Sequence, residues 1–220
     1  MTQKAVLMVV TSADKIDDTL RTGLWLSEFA EPYTEFVAQG YRVTVASIKG
    51  GSAPIDPRSL DNETEKRWPD AIAVLKDTVP ITQVRAEDFD AIFLPGGHGT
   101  MFDLPTNPEL QSLIRQFAET GKVIAAVCHG PAGLVGVTLT NGEPLVKGKR
   151  VTSFTNDEER AVQLDDKVPF LLEDRLRELG AAFIGQPLWS DHVVQDGNLI
   201  TGQNPQSGIS TAKAVIKALS

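Results

Sequence analysis

The sequence predicts an α/β fold: a doubly wound, mostly parallel sheet with helices on both faces, in a single domain over residues 1–220. Three observations carry that expectation. Short apolar runs, such as 5–12 (AVLMVVTS), 91–94 (AIFL) and 123–127 (VIAAV), read as buried strands. Segments with apolar residues at helical spacing alternate with them almost throughout. Two of the runs end in glycine-containing corners, Pro95-Gly-Gly-His-Gly99 and Cys128-His-Gly-Pro131, which is where open α/β sheets bind ligands. A chain of 220 residues, 41% hydrophobic and 23% charged, is long enough to bury a sizeable core.

In chain order, residues 5–12 form the first strand, and Thr11, Ser12 and Asp14 signal a loop. Residues 23–39 read as a helix, with Leu24, Phe29, Tyr33, Phe36 and Val37 near helical spacing and Gly40 as a stop. Pro32 is expected to kink or split it. Residues 42–48 are the second strand, ending at Gly50-Gly51. A loop over 54–60 leads to a polar helix over 62–75. After the strand 91–94, residues 108–120 form a helix with a Leu110, Leu113, Ile114, Phe117 stripe, stopped by Gly121. Beyond the strand 123–127, Asn141-Gly142 marks a turn and 150–154 a strand. Thr155-Asn156 caps the acidic segment Asp157-Glu158-Glu159. A helix over 168–179, a strand over 181–185, a hairpin around Asp196-Gly197 and a helix over 205–219 complete the chain. The loops 49–60 and 136–149 are longer than usual for such folds and are candidates to cover an active site.

Chemistry concentrates on Cys128, the one cysteine in the chain. Small residues at minus two (Ala126) and plus two (Gly130) suit a sharp strand-to-helix turn, the architecture of a nucleophile elbow with sulfur in place of oxygen. A helix start there would favour the thiolate; the alternative is an inert buried cysteine. The elbow and the glycine corner should meet at one sheet edge, where the Gly97 and His129 N–H groups would hold an oxyanion. His129 is the adjacent base, or only a packed helix-start histidine. A base needs an orienting acceptor, and Glu158 and Glu159 are candidates unless they are a solvated pair. Glu28 sits among Trp25, Leu26, Phe29 and Tyr33. It either faces solvent or is held protonated in an apolar pocket, where it would hydrogen-bond the sulfur and pass protons. Asp56, Trp189 and the Asn204-Pro205 turn read only as loop chemistry.

The bulk numbers exclude other classes. A net charge of −8 without a basic cluster argues against nucleic acid and against an anionic membrane surface. A single cysteine forms no internal disulfide and fits a reducing, cytoplasmic setting. Residues 1–5 run straight into an apolar stretch too short for a signal peptide or a spanning helix. The histidines, His98, His129 and His192, are widely spread in sequence, so no metal site is expected.

Ala126-Val-Cys-His-Gly-Pro131, preceded by Leu94-Pro-Gly-Gly-His-Gly99, resembles the ThiJ/PfpI superfamily, within the flavodoxin-like, class I glutamine amidotransferase-like fold. Trp25-Leu-Ser-Glu-Phe-Ala-Glu-Pro32 is similar to the family's glutamate with a proline four residues on. Residues 46–51 with Pro54-Ile-Asp-Pro57 and Ser59, residues 152–159 and 168–173, and residues 199–207 are similar to one branch, that of stress-related holding chaperones and glutathione-independent glyoxalases. The resemblance spans nearly the whole chain. It implies Cys128 as nucleophile, His129 as its partner and Glu159 as the third member, with Glu158 or Asp157 as alternatives. Glu28 becomes the acid beside the sulfur, and Gly97 and His129 supply the oxyanion N–H groups. The implied reaction is cofactor-free and metal-free conversion of methylglyoxal, or a similar small reactive carbonyl compound, to a 2-hydroxy acid such as D-lactate, in a homodimer. The alternatives are a cysteine peptidase, amidohydrolase or deglycase, or a holding chaperone or redox sensor in which Cys128 acts through oxidation.

Overall fold

The computed structural model describes residues 3–220; residues 1 and 2 of the N-terminal lead lie outside the described residues. The elements are, in order, β1 (Ala5–Val10), α1 (Leu26–Ala38), β2 (Arg42–Ser47), α2 (Asn62–Arg67), α3 (Pro69–Val74), β3 (Val79–Pro80), β4 (Ala91–Leu94), α4 (Thr100–Asp103), α5 (Pro108–Glu119), β5 (Val123–Val127), α6 (Ala132–Val135), β6 (Arg150–Val151), α7 (Asn156–Ala161), α8 (Leu172–Glu178), β7 (Ala182–Phe183), β8 (Val193–Asp196), β9 (Leu199–Gly202) and α9 (Gly208–Leu219). Seven strands form one sheet in the order β3-β2-β1-β4-β5-β9-β8, and β6 and β7 form a small parallel pair. Every neighbour pair in the large sheet is parallel except the β8–β9 hairpin.

Strand pleating explains why β1 is apolar at every position. Successive side chains leave a strand on opposite faces. Val6, Met8 and Val10 enter a core with Leu26 and Phe29 of α1 and Ala212 and Val215 of α9. Leu7 and Val9 enter the other, with Leu110, Ile114 and Phe117 of α5. A sheet covered on both faces has no polar face to alternate with.

Several local expectations are corrected. Pro32 does not break α1, which runs unbroken from Leu26 to Ala38. Proline removes only one hydrogen bond from the ladder, and the buried ring lies in packing distance of Gly208 at the start of α9. The polar segment 62–75 is two helices: a proline disfavours helical geometry at the residue before it, and Trp68, before Pro69, leaves the helical region at φ −129° and ψ 51°. The strand expected over 150–154 stops at Val151. Beyond it the Thr152 N–H donates to Thr201 Oγ1 and the Phe154 N–H to the Cys128 carbonyl, so this backbone is diverted to the elbow. The helix expected from 168 starts at Leu172, after Pro169.

The chain order reverses between β1 and β4: β2 and β3 extend the sheet one way from β1, β4 and β5 the other. In doubly wound sheets the carboxyl ends beside such a reversal open a crevice for ligands. Leu94 of β4 pairs with Ala126 of β5, so the glycine corner and the elbow emerge side by side.

Candidate active site

Cys128 follows β5 with φ +61°, in the left-handed region that residues with a Cβ rarely adopt and that clusters at active sites. The conformation is held from both sides: the Cys128 N–H donates to the Gly202 carbonyl at 2.9 Å, and its carbonyl accepts from the Phe154 N–H at 2.9 Å. The Gly130 N–H closes the turn on the Val127 carbonyl. Any side chain at Gly130 would run into the Leu94 carbonyl, which is why this position is glycine. The helix that follows, α6, is a single turn starting four residues later. The expected helix-start stabilisation of a thiolate is therefore not what sets this sulfur. Burial pushes the Cys128 thiol well above its ordinary range, and the neighbouring Glu28 adds to the effect.

Glu28 lies in the first turn of α1 and is fully buried. The Gly96 N–H donates to its Oε2 at 2.8 Å, and a side chain at Gly96 would occupy that place. Oε1 is buried without a hydrogen-bond partner among the described residues. Burial pushes the Glu28 carboxyl up to about 8, against the opposing effects of the Cys128 thiol and the Gly96 N–H. Of the two placements open to Glu28 from the sequence, the structure shows the buried one.

His129 Nδ1 is 3.4 Å from Cys128 Sγ, and His129 Nε2 is 2.6 Å from Glu159 Oε2. A carboxylate only accepts, so Nε2 carries a hydrogen, and Nδ1 is the ring nitrogen that faces the sulfur. The other oxygen, Oε1, accepts from His98 Nε2 at 2.6 Å. Burial and the nearby His129 push His98 down to about 4, so it is neutral, with Nδ1 as an acceptor. Arg58 Nη2 fills that place at 3.4 Å, and Arg58 in turn donates to both oxygens of buried Asp56 at 2.9 and 2.6 Å. Burial would raise Glu159, but His129 and the two imidazole hydrogen bonds outweigh it and hold the carboxyl well below the usual range.

Among the three neighbouring acids, the geometry discriminates. Asp157 is exposed and pairs with Arg160. Glu158 is fully buried but points away from the sulfur: Oε1 accepts from the Trp189 N–H, Gln203 and Asn204, while Oε2 closes a capping box with Thr155. Only Glu159 reaches His129. The backbone N–H groups of Gly97 and His129 donate to no other group among the described residues, and both residues line the same cavity as Glu28 and Cys128.

That cavity measures about 740 Å³ and is walled by Trp25, Arg58, Phe154 and Trp189 among others. The loop 49–60 contributes Arg58 to it. The loop 136–149 does not: Leu145 and Val146 pack into the opposite core. His98, Arg58 and Asp56 were not assigned roles from the sequence. The glycine corner carried His98 and the Pro-Ile-Asp-Pro block carried Asp56, but no spacing links either to Cys128. The histidines, spread in sequence, converge in space: ligand atoms of His98, His129 and Glu159 lie within 4.8 Å of one another, a set that could hold a metal ion, with each already hydrogen-bonded to its neighbour. No helix among the described residues is long and apolar enough to cross a membrane.

An elbow cysteine one strand from the switch point of such a sheet, with a histidine, a carboxylate and a buried glutamate around it, defines the class, and the chain belongs to the DJ-1/PfpI family, whose model matches residues 19–218. Within it, the chain is 34% identical to the glutathione-independent glyoxalase HSP31 of Saccharomyces cerevisiae, over 100% of this chain and 99% of that protein. It is 31% identical to the crystal structure of glyoxalase III from Candida albicans, covering 98% of this chain and 97% of that one with a TM-score of 0.89. It is 40% identical to the structure of the Rapid Encystment Protein 24 kDa of Francisella tularensis, over 99% of this chain and 100% of that one, with a TM-score of 0.94.

Proposed function

We propose that the protein is a cofactor-free glyoxalase that converts methylglyoxal and similar 2-oxoaldehydes to 2-hydroxy acids. The observation that carries this reading is the Glu28 carboxyl, buried beside the sulfur with one oxygen held by Gly96 and the other unpartnered. Simple thiol-dependent hydrolysis needs a nucleophile, a base and an oxyanion site. Moving hydrogen between adjacent carbons needs one more proton carrier at the reacting atoms, and Glu28 fits that part.

The thiol gives its proton to His129 Nδ1 as sulfur adds to the aldehyde carbon. Glu159 steadies the imidazolium, and the Gly97 and His129 N–H groups receive the oxyanion, which then takes the proton from His129 to complete a hemithioacetal. Glu28 donates its proton to the ketone oxygen and, now a carboxylate, removes the hydrogen from the former aldehyde carbon, giving an enediol. It returns that hydrogen to the neighbouring carbon and takes the proton of the first hydroxyl, leaving a thioester. Water, activated by His129, cleaves the thioester and restores the thiol. One carbon is oxidised and its neighbour reduced, so no external oxidant or reductant enters. The names of the relatives support the same chemistry. The lone, unpaired cysteine suits a reducing cytoplasm, and with this reading goes the homodimer usual in the family.

The test is D-lactate formation from methylglyoxal without glutathione, for the native chain and for Cys128→Ala and Glu28→Gln. The reading requires lactate from the native chain and loss in both variants. Native protein that makes none overturns it, and release of amine from a peptide substrate would favour the peptidase alternative.

A further inference from the structure

We propose that the cavity contains an apolar subsite built on Trp189 that receives the substituent of the oxoaldehyde, so that the site favours aryl-bearing 2-oxoaldehydes over the three-carbon one. This rests on the glyoxalase reading for the reacting end of the molecule only. Cavities of roughly 300–1,000 Å³ enclose drug-sized ligands, and about 740 Å³ is far more than a three-carbon substrate fills. The extra space has a specific wall. Of the three tryptophans in the chain, Trp68 is in the core, while Trp25 and Trp189 both line the cavity. Trp189 stays 39% exposed, an arrangement that folding alone does not reward.

The fold fixes Trp189 at some cost. Its φ is +64°, unfavourable for a bulky residue and, where seen, associated with ligand clamps. The Trp189 N–H is held at 2.9 Å by Glu158 Oε1, the same buried oxygen that anchors Gln203 and Asn204. The ring is 5.8 Å from Phe154, whose ring is 4.5 Å from His129. An aromatic track thus leads outward from the reacting centre, and Val162, Pro205 and Ile209 add apolar lining to a cavity whose remaining wall includes the polar Ser27, Glu31 and Gln206. A planar apolar group attached to the ketone carbon would lie against that track, with its dicarbonyl end at Cys128 and Glu28.

Binding of product-like acids tests this without turnover. In Cys128→Ala, calorimetry compares D-mandelate, which carries a phenyl group, with D-lactate. Hydrophobic pockets discriminate by about tenfold or more on this scale, and mandelate is expected to bind at least that much tighter. Trp189→Ala should bring the two acids to similar affinity, and Trp189→Phe should keep most of the preference. Equal or weaker binding of mandelate overturns the proposal, as does a preference that survives in Trp189→Ala. Should Trp189→Ala fail to fold, the mandelate-to-lactate ratio in Cys128→Ala, and its reduction in Trp189→Gln, decide the question. Failure of the native chain to convert any oxoaldehyde would remove the glyoxalase reading, while the binding ratio would still judge the subsite.

Discussion

Replacing Glu28 by glutamine tests the central physical claim about the site, that this carboxyl is neutral when the protein is folded. Glutamine keeps the shape and an acceptor for the Gly96 N–H but cannot ionise. Burial pushes the folded carboxyl up to about 8 from an ordinary value of 4.5. A raised value means that Glu28 contributes its full stability below about pH 4.5, where it is protonated in both states. That contribution is lost as pH rises towards 8, because the unfolded chain ionises and the folded one does not. At about 1.4 kcal/mol per pH unit, the native chain loses on the order of 5 kcal/mol across this window relative to the glutamine variant. Urea unfolding of Cys128→Ala and Cys128→Ala/Glu28→Gln at pH 5 and pH 8 isolates the effect from thiol titration. The stability difference is expected to move by about 4 kcal/mol in favour of glutamine over that interval. A difference that does not change with pH would mean that Glu28 is already ionised in the folded protein, and its role as proton donor would fall with it.

Cys128→Ala should abolish D-lactate formation while leaving the thermal melt within a few degrees of the native one; lactate at the native rate would refute the elbow assignment. Glu28→Gln, in the chain with its cysteine, should lower kcat by roughly 10²–10⁴-fold, the usual worth of a positioned proton carrier. Glu158 and Glu159, adjacent in sequence, should separate cleanly. Glu158→Ala strands the buried amide donors of Gln203 and Asn204, at about 1–3 kcal/mol each, frees the half-buried Trp189 N–H, and should show in the melting temperature. Glu159→Ala should show first in turnover, and the reverse pattern would exchange their roles. His98→Ala removes a hydrogen bond that holds Glu159 below the usual carboxylate range, so the acid limb of the kcat/KM profile should move to higher pH; an unmoved limb would make His98 a packing residue only.

Much of this molecule was legible in one dimension. Buried strands of a parallel sheet are apolar at every position because both faces are covered, so β1, β4 and β5 declare themselves without partners in view. Gly130 and Cys128 mark the elbow because backbone crowding at a sharp turn is a local property. The errors were local contests that packing decided: Pro32 tolerated within α1 by its seat against α9, and residues 152–154 drawn away from strand pairing by the elbow itself.

What the sequence by itself determined is the sheet, the elbow and the identity of the sulfur, all of which depend on short-range patterns of volume and polarity. What only the tertiary structure decided is electrostatic and convergent. Glu28 could have faced water or the core, and its state follows from burial, which no neighbour in sequence reveals. His98, from the corner after β4, and Arg58 with Asp56, from the loop 54–60, come together only after the sheet has formed, Asp56 holding Arg58, Arg58 meeting His98 and His98 meeting Glu159. Glu159, rather than its neighbour Glu158, reaches His129 because successive residues on a helix point in different directions, and Thr155 as the cap of α7 sets which of the two turns toward the sulfur.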